Sequence, residues 1–101
     1  MDISTSIENG ITIIKPESSR IDIGNSVEYR QKLTEILEST STEINFDLSK
    51  VDFIDSSGIG LLIRFWQATQ DKNILLNITH CSPRVLEALK VAHLDTQLNI
   101  I

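Results

Sequence analysis

The chain is 101 residues long, enough for one domain, and its 41% hydrophobic content is sufficient to fill a core. With 23% charged residues it reads as an ordinary globular protein, and a net charge of −5 argues against non-specific nucleic-acid binding, which needs a basic footprint. No apolar run approaches the roughly 18 residues of a membrane span. The opening residues, Met1-Asp2-Ile3-Ser4-Thr5, lack the basic and apolar regions of a signal peptide. The lone cysteine, Cys81, excludes an intramolecular disulfide and suits a reducing compartment. A cytoplasmic protein without direct membrane insertion is the expectation.

Residues 3–8 and 11–15 are short β-rich runs separated by Asn9-Gly10, a hairpin signal because both residues tolerate positive φ. Pro16 to Ser26 is rich in turn-formers and reads as loop, with a brief extended piece at Arg20–Ile23. A helix follows, capped by Asn25 or Ser26, with Tyr29, Leu33, Ile36 and Leu37 as its apolar stripe. The hydroxyl-rich run Ser39-Thr40-Ser41-Thr42 ends it. A strand is expected at 43–48, where apolar and polar residues alternate, then a helix at 57–70 and an apolar strand from Ile74 to Thr79. Ser82-Pro83 opens the last helix, with serine as cap and proline in the first turn; Val85, Leu86 and Leu89 form its stripe. The tail from Leu94 to Ile101 is expected to close the core as an extended segment. A hairpin followed by alternating helices and strands predicts one α/β domain over residues 1–101, with a mixed, partly parallel sheet.

Asp55-Ser56-Ser57-Gly58-Ile59-Gly60 lies between the strand at 43–48 and the helix at 57–70. Right-handed crossovers place such a turn at the carboxyl edge of the sheet, where α/β proteins carry their sites. Structurally, Ser56 or Ser57 can cap the helix and Gly58 can allow a tight turn; functionally, two hydroxyls beside a carboxylate suit phosphate chemistry. Within the helix, Ile59, Leu62, Ile63 and Trp66 are expected to face the core. Leu61, Phe65 and Ala68 form a second apolar row, either packed within the domain or open to a partner, which leaves Gly60 and Arg64 on the more exposed side. Enzymatic readings find little support. The turn lacks the first glycine of a Gly-x-Ser-x-Gly elbow, His80 and His93 are poorly placed as bases, and no P-loop or dinucleotide fingerprint is present. Cys81 and His80 have no further ligands at metal-binding spacing. A non-enzymatic protein without cofactor or metal is expected.

With these residues in view the chain resembles the STAS domain (sulphate transporter and anti-sigma factor antagonist), and within it the free-standing bacterial anti-sigma factor antagonists. The resemblance spans nearly the whole chain. It is sharpest from Val51 to Leu62, is repeated from Ser82 to Asp95, and is weaker at Ile21-Asp22. It implies a phosphorylation-controlled partner switch in transcription regulation. The unmodified protein binds an anti-sigma factor serine kinase, the kinase phosphorylates the second serine of Asp-Ser-Ser-Gly, here Ser57, and a metal-dependent serine phosphatase restores the free hydroxyl. Asp22, Asp55, Ser56, Gly58, Gly60, Leu61 and Arg64 form the implied partner-facing surface. The alternative is a soluble docking subunit of a transporter-associated or stressosome-like complex. Departures from the family pattern are Ser19, where members carry a glycine before the Leu-Asp pair, His93, where many carry glycine, and the apolar Phe65.

Overall fold

A computed structural model describes residues 3–39 and 42–101. The chain runs β1 (Ile3–Glu8), β2 (Ile11–Pro16), β3 (Arg20–Ile21), α1 (Ser26–Ser39), β4 (Glu43–Asp47), β5 (Phe53–Ile54), α2 (Ser56–Asp71), β6 (Leu75–Thr79), α3 (Pro83–Val91) and β7 (Asn99–Ile100). The end expected for α1 in the Ser39–Thr42 run lies partly outside the described residues, as do Met1 and Asp2. Asn9 and Gly10 join β1 to β2 with φ of 54° and 80°, the positive pair that matches the twist of an antiparallel hairpin.

The main sheet has the order β1-β2-β4-β6-β7, antiparallel at β1-β2 and parallel at each later pair. Each crossover, from β2 to β4, β4 to β6 and β6 to β7, steps in the same direction across the sheet. Right-handed crossovers of that kind put all three helices on one face. The alternation within the strands agrees. Ile14, Ile44, Phe46 and Ile78 are fully buried beneath the helices, while Glu43, Asn45 and Asp47 of β4 alternate onto the other face. On that open face Asn77 donates through Nδ2 to Asn45 Oδ1 at 2.7 Å and Glu43 Oε2 at 2.9 Å, and its own Oδ1 accepts from Asn99. A chain of amides therefore ties three parallel strands together and satisfies Asn77, which is only 4% exposed.

Tyr29, Leu33 and Leu37 of α1, Leu61, Leu62 and Phe65 of α2, and Val85 and Leu89 of α3 fill the space above the sheet. The rings of Phe46 and Phe65 meet edge-on with centroids 5.7 Å apart. The buried face of α2 is thus rotated from the expected one. Leu61 and Phe65 are buried, because α1 packs alongside α2 and covers that flank, whereas Ile59, Ile63 and Trp66 are only partly buried. The second apolar row belongs mainly to the domain's own core. In α3, Ser82 caps by accepting from Val85 N, as expected. The tail is less extended than expected: the Gln97 and Leu98 N–H groups fold back onto the Leu94 carbonyl before β7 begins. Leu94 and Leu98 are buried by that turn. His93 takes φ of 59°, the left-handed conformation that glycine would adopt most easily after a helix. Among the described residues no helix is long and apolar enough to cross a membrane.

Candidate functional site

The site is assembled by a second, two-stranded parallel sheet. β3 pairs with β5, and the Asp55 N–H continues the pairing onto the Ile21 carbonyl at 3.2 Å. This brings the loop after β3 against the start of α2. The loop is held by its own side chains: Asp22 Oδ1 accepts from Gly24 N, and Asp22 N donates to Asn25 Oδ1. Asn25 Nδ2 reaches back to the Arg20 carbonyl. Asn25 therefore begins α1 through its carbonyl, which accepts from Tyr29 N, while its side chain braces the loop. The hydrogen bond from Arg20 Nε at 3.1 Å, and then the Gly24 N–H, hold the Asp22 carboxyl below the usual aspartate range.

The cap of α2 differs from the expectation. Neither serine caps the helix; Asp55 does, with Oδ1 accepting from Gly58 N at 3.0 Å in an extended backbone conformation. Its second oxygen accepts from Ile23 N at 3.1 Å, so one carboxylate fastens the loop to the helix. Because Asp55 satisfies the helix terminus, both serine hydroxyls are left without a hydrogen bond among the described residues. Ser56 is exposed and Ser57 half-buried.

The role of Gly58 also differs. It is helical, not a turn residue, and it is buried. A Cβ there would lie 2.5 Å from Ile54 Cγ1 and 2.6 Å from the Ile21 carbonyl oxygen. Glycine is needed because β3 passes directly against the helix. At Gly60, by contrast, a Cβ would have no neighbour within 4 Å among the described residues. Packing does not explain it.

Ser56 and Ser57 open onto a groove of about 280 Å³ between the N-terminal halves of α1 and α2. Gly60 and Leu61 line it beside the serines, and Arg30 of α1 and Arg64 of α2 bring the charge. Ile23, 80% exposed, and Val27, 55% exposed, provide apolar surface on the loop and α1 side. Of the residues expected on a partner-facing surface, Ser56, Gly60 and Arg64 are gathered here with Ser57. Leu61 also lines the groove, but α1 draws it into the core and leaves it 4% exposed, whereas Gly58 does not fit the expectation, because it is buried under β3. Asp22 and Asp55 lie in the adjoining loop and cap, with their carboxylates engaged within the domain.

Sequence reasoning missed Arg30, Val27 and Ile23. Arg30 follows a core tyrosine, and no spacing relates it to Ser57. Val27 and Ile23 did carry a signal, as apolar residues outside the stripe of α1. His80 and His93 do not line the groove; His80 Nδ1 instead lies 3.5 Å from Asp47 Oδ1. Burial pushes the Cys81 thiol up. Among the described residues no three His, Cys, Asp or Glu side chains are arranged to hold a metal.

Comparison with known proteins places this geometry in context. The family model of the STAS domain matches residues 2–101. A protein of Thermotoga maritima has the same fold with a TM-score of 0.89 at 19% identity, covering 97% of this chain and 84% of its own. An anti-sigma factor antagonist (STAS) domain protein of Planctomyces limnophilus superposes with a TM-score of 0.88 at 24% identity, over 99% of this chain and 89% of its own. The Bacillus cell fate determinant SpoIIAA in its phosphorylated form gives a TM-score of 0.72 at 16% identity, over 99% and 91%.

Proposed function

The chain belongs to the STAS-domain family, and from that premise we propose that it is an anti-sigma factor antagonist working as a phosphorylation-controlled partner switch. The observation that carries this reading is the division of labour at the start of α2. Asp55 does the capping, so the Ser57 hydroxyl has no structural duty and lies open to a groove. In the unmodified state the protein docks on an anti-sigma factor serine kinase through the exposed loop and groove. Ile23 and Val27 give apolar contact, and Ser56, Gly60 and Arg64 give close backbone approach and polar contact.

Ser57 Oγ takes the γ-phosphoryl group of a nucleoside triphosphate held by the kinase. The bond to the β-phosphate breaks, the diphosphate leaves, and the hydroxyl proton passes to a base on the kinase. The product carries about −1.5 to −2 charges at pH 7. Burying an unmatched anion of that size in an interface costs several kcal/mol, and a hundredfold loss of affinity needs only about 2.7 kcal/mol. Modification therefore ends the complex, and a metal-dependent serine phosphatase resets it by hydrolysing the phosphate ester. This chain is the substrate of both enzymes and catalyses neither step. The cycle runs in the cytoplasm beside the kinase.

The test is site-mapped intact-mass spectrometry of the protein from its host, joined to co-purification of unmodified, Ser57→Ala and Ser57→Asp forms. A single phosphate on Ser57 in part of the population is expected, with the kinase retained by the first two forms and lost by the third. A stable complex indifferent to the state of residue 57, with no phosphate under growth, starvation or stress, would refute the switch.

A further inference from the structure

Arg30 and Arg64 reach one groove from two different helices, and neither forms an ion pair among the described residues. Unpaired guanidinium groups converging on one place are notable in a chain with 14 acidic and 9 basic residues. Ser57, Gly60 and Arg64 follow one another at i, i+3 and i+7 on a single stripe of α2. Side chains on a helix lean toward its N-terminus, so Arg64 inclines toward Ser57 along the two turns between them. Position 60 holds no side chain, and a Cβ there would meet nothing. A glycine inside a helix costs about 1 kcal/mol relative to alanine, and here no internal contact requires it. Its effect is to leave the path between Arg64 and Ser57 open.

We propose that Arg30 and Arg64 form a cradle that captures the phosphate of phosphorylated Ser57 within the same chain. This rests on the partner-switch reading and specifies its released state. The phosphate dianion accepts hydrogen bonds from both guanidinium groups, one from each wall of the groove, a geometry for which arginine is well suited. Capture fills the groove and removes both arginines from the docking surface. Release of the partner then has two causes, the new charge and the closed groove. A carboxylate at position 57 is shorter and carries one charge, so it does not bridge both walls.

The test encodes phosphoserine at position 57 of the full chain and follows its second ionisation by ³¹P NMR, alone and with Arg30→Gln, Arg64→Gln or both. Free phosphoserine ionises near 6. Nearby acids, Asp55 in the cap and Asp22 in the loop, raise that value, whereas Arg30 and Arg64 lower it. With the cradle formed the ionisation lies about one unit below that of the double variant, which keeps only the opposing effects of the positive helix start and the nearby acids. Circular dichroism confirms that each variant is folded. An ionisation unmoved by either substitution would overturn the cradle and leave the phosphate on the backbone N–H groups of the helix start. The titration needs no kinase or partner. A failed cradle therefore leaves the switch standing, while an unphosphorylated Ser57 in the host refutes the switch whatever the titration shows.

Discussion

Gly58 and Gly60 lie two residues apart in α2, and alanine should act on them in opposite directions. A methyl group at Gly58 would meet Ile54 Cγ1 at 2.5 Å, the Ile21 carbonyl oxygen at 2.6 Å and Ile21 Cγ2 at 3.0 Å. The carbonyl cannot step aside, because the Asp55 N–H binds it and the β3–β5 pairing fixes its strand. Overpacking of this kind costs about 1–3 kcal/mol, and a backbone clash belongs at the upper end. Alanine's helix propensity returns about 1 kcal/mol, which leaves Gly58→Ala destabilised by about 2 kcal/mol. At Gly60 the same methyl meets nothing, so only the propensity gain remains, about 1 kcal/mol of stabilisation. For a domain of this size each kcal/mol moves Tm by about 4–8 °C. Thermal and urea unfolding followed by circular dichroism should place Gly58→Ala roughly 8–16 °C below the parent and Gly60→Ala about 4–8 °C above it. A Gly58→Ala protein as stable as the parent would show that β3 does not press on α2 as described, and the case for a glycine there would fail.

Other consequences are open to measurement. Asp55→Ala removes the cap of α2 and the tie to Ile23, about 1 kcal/mol each, so unfolding should come about 2 kcal/mol earlier and the Ile23 amide should exchange faster. Ser57→Ala should leave stability within about 0.5 kcal/mol, since its hydroxyl has no hydrogen bond among the described residues; a loss near 1 kcal/mol would mean that it caps the helix after all. Asp22 is held below its ordinary value of 3.8 by Arg20 and the Gly24 N–H. Its folded form thus binds a proton less readily than its unfolded form, and its stabilisation is present above the unfolded value and lost as pH falls through the lowered folded value. Urea midpoints from neutral pH to pH 3 should fall less steeply for Asp22→Asn than for the parent. Asn77→Ala strands the amides of Asn45 and Asn99 on the open face and should cost about 1–3 kcal/mol in urea unfolding.

What was legible in the sequence was the information carried by local rules. The Asn9-Gly10 hairpin, the Ser82-Pro83 start of α3 and the alternation of β4 each follow from one or two residues and a period, and each is found where expected. What was not legible depends on neighbours distant in sequence. Period alone gives α2 two apolar flanks and cannot choose between them. The choice is made by α1, which lies against Leu61 and Phe65. Gly58 looks like a turn residue until β3, more than thirty positions earlier, is seen against it. The cap was misassigned for a related reason: Ser56, Ser57 and Asp55 are all good capping types, and the bond from Ile23 N favours the carboxylate that can hold both the helix and the loop. Arg30 had no sequence signal at all, because only the approach of α1 to α2 brings it to the groove.

The Asp55 cap bears on how a switch can be built on so small a domain. If a serine capped α2, adding a phosphate to it would disturb the helix start, and binding and folding would change together. Giving the cap to Asp55 separates the two. The carboxylate holds Gly58 N and Ile23 N whatever the state of Ser57, so the frame that positions the hydroxyl does not depend on the hydroxyl. The neighbouring helix terminus tolerates added negative charge, because its field is positive. The acidic neighbour that would repel a phosphate already accepts two N–H groups, and the two arginines form no ion pair among the described residues. Phosphorylation at this position can therefore change what the surface binds by several kcal/mol while the fold beneath it stays within a fraction of one.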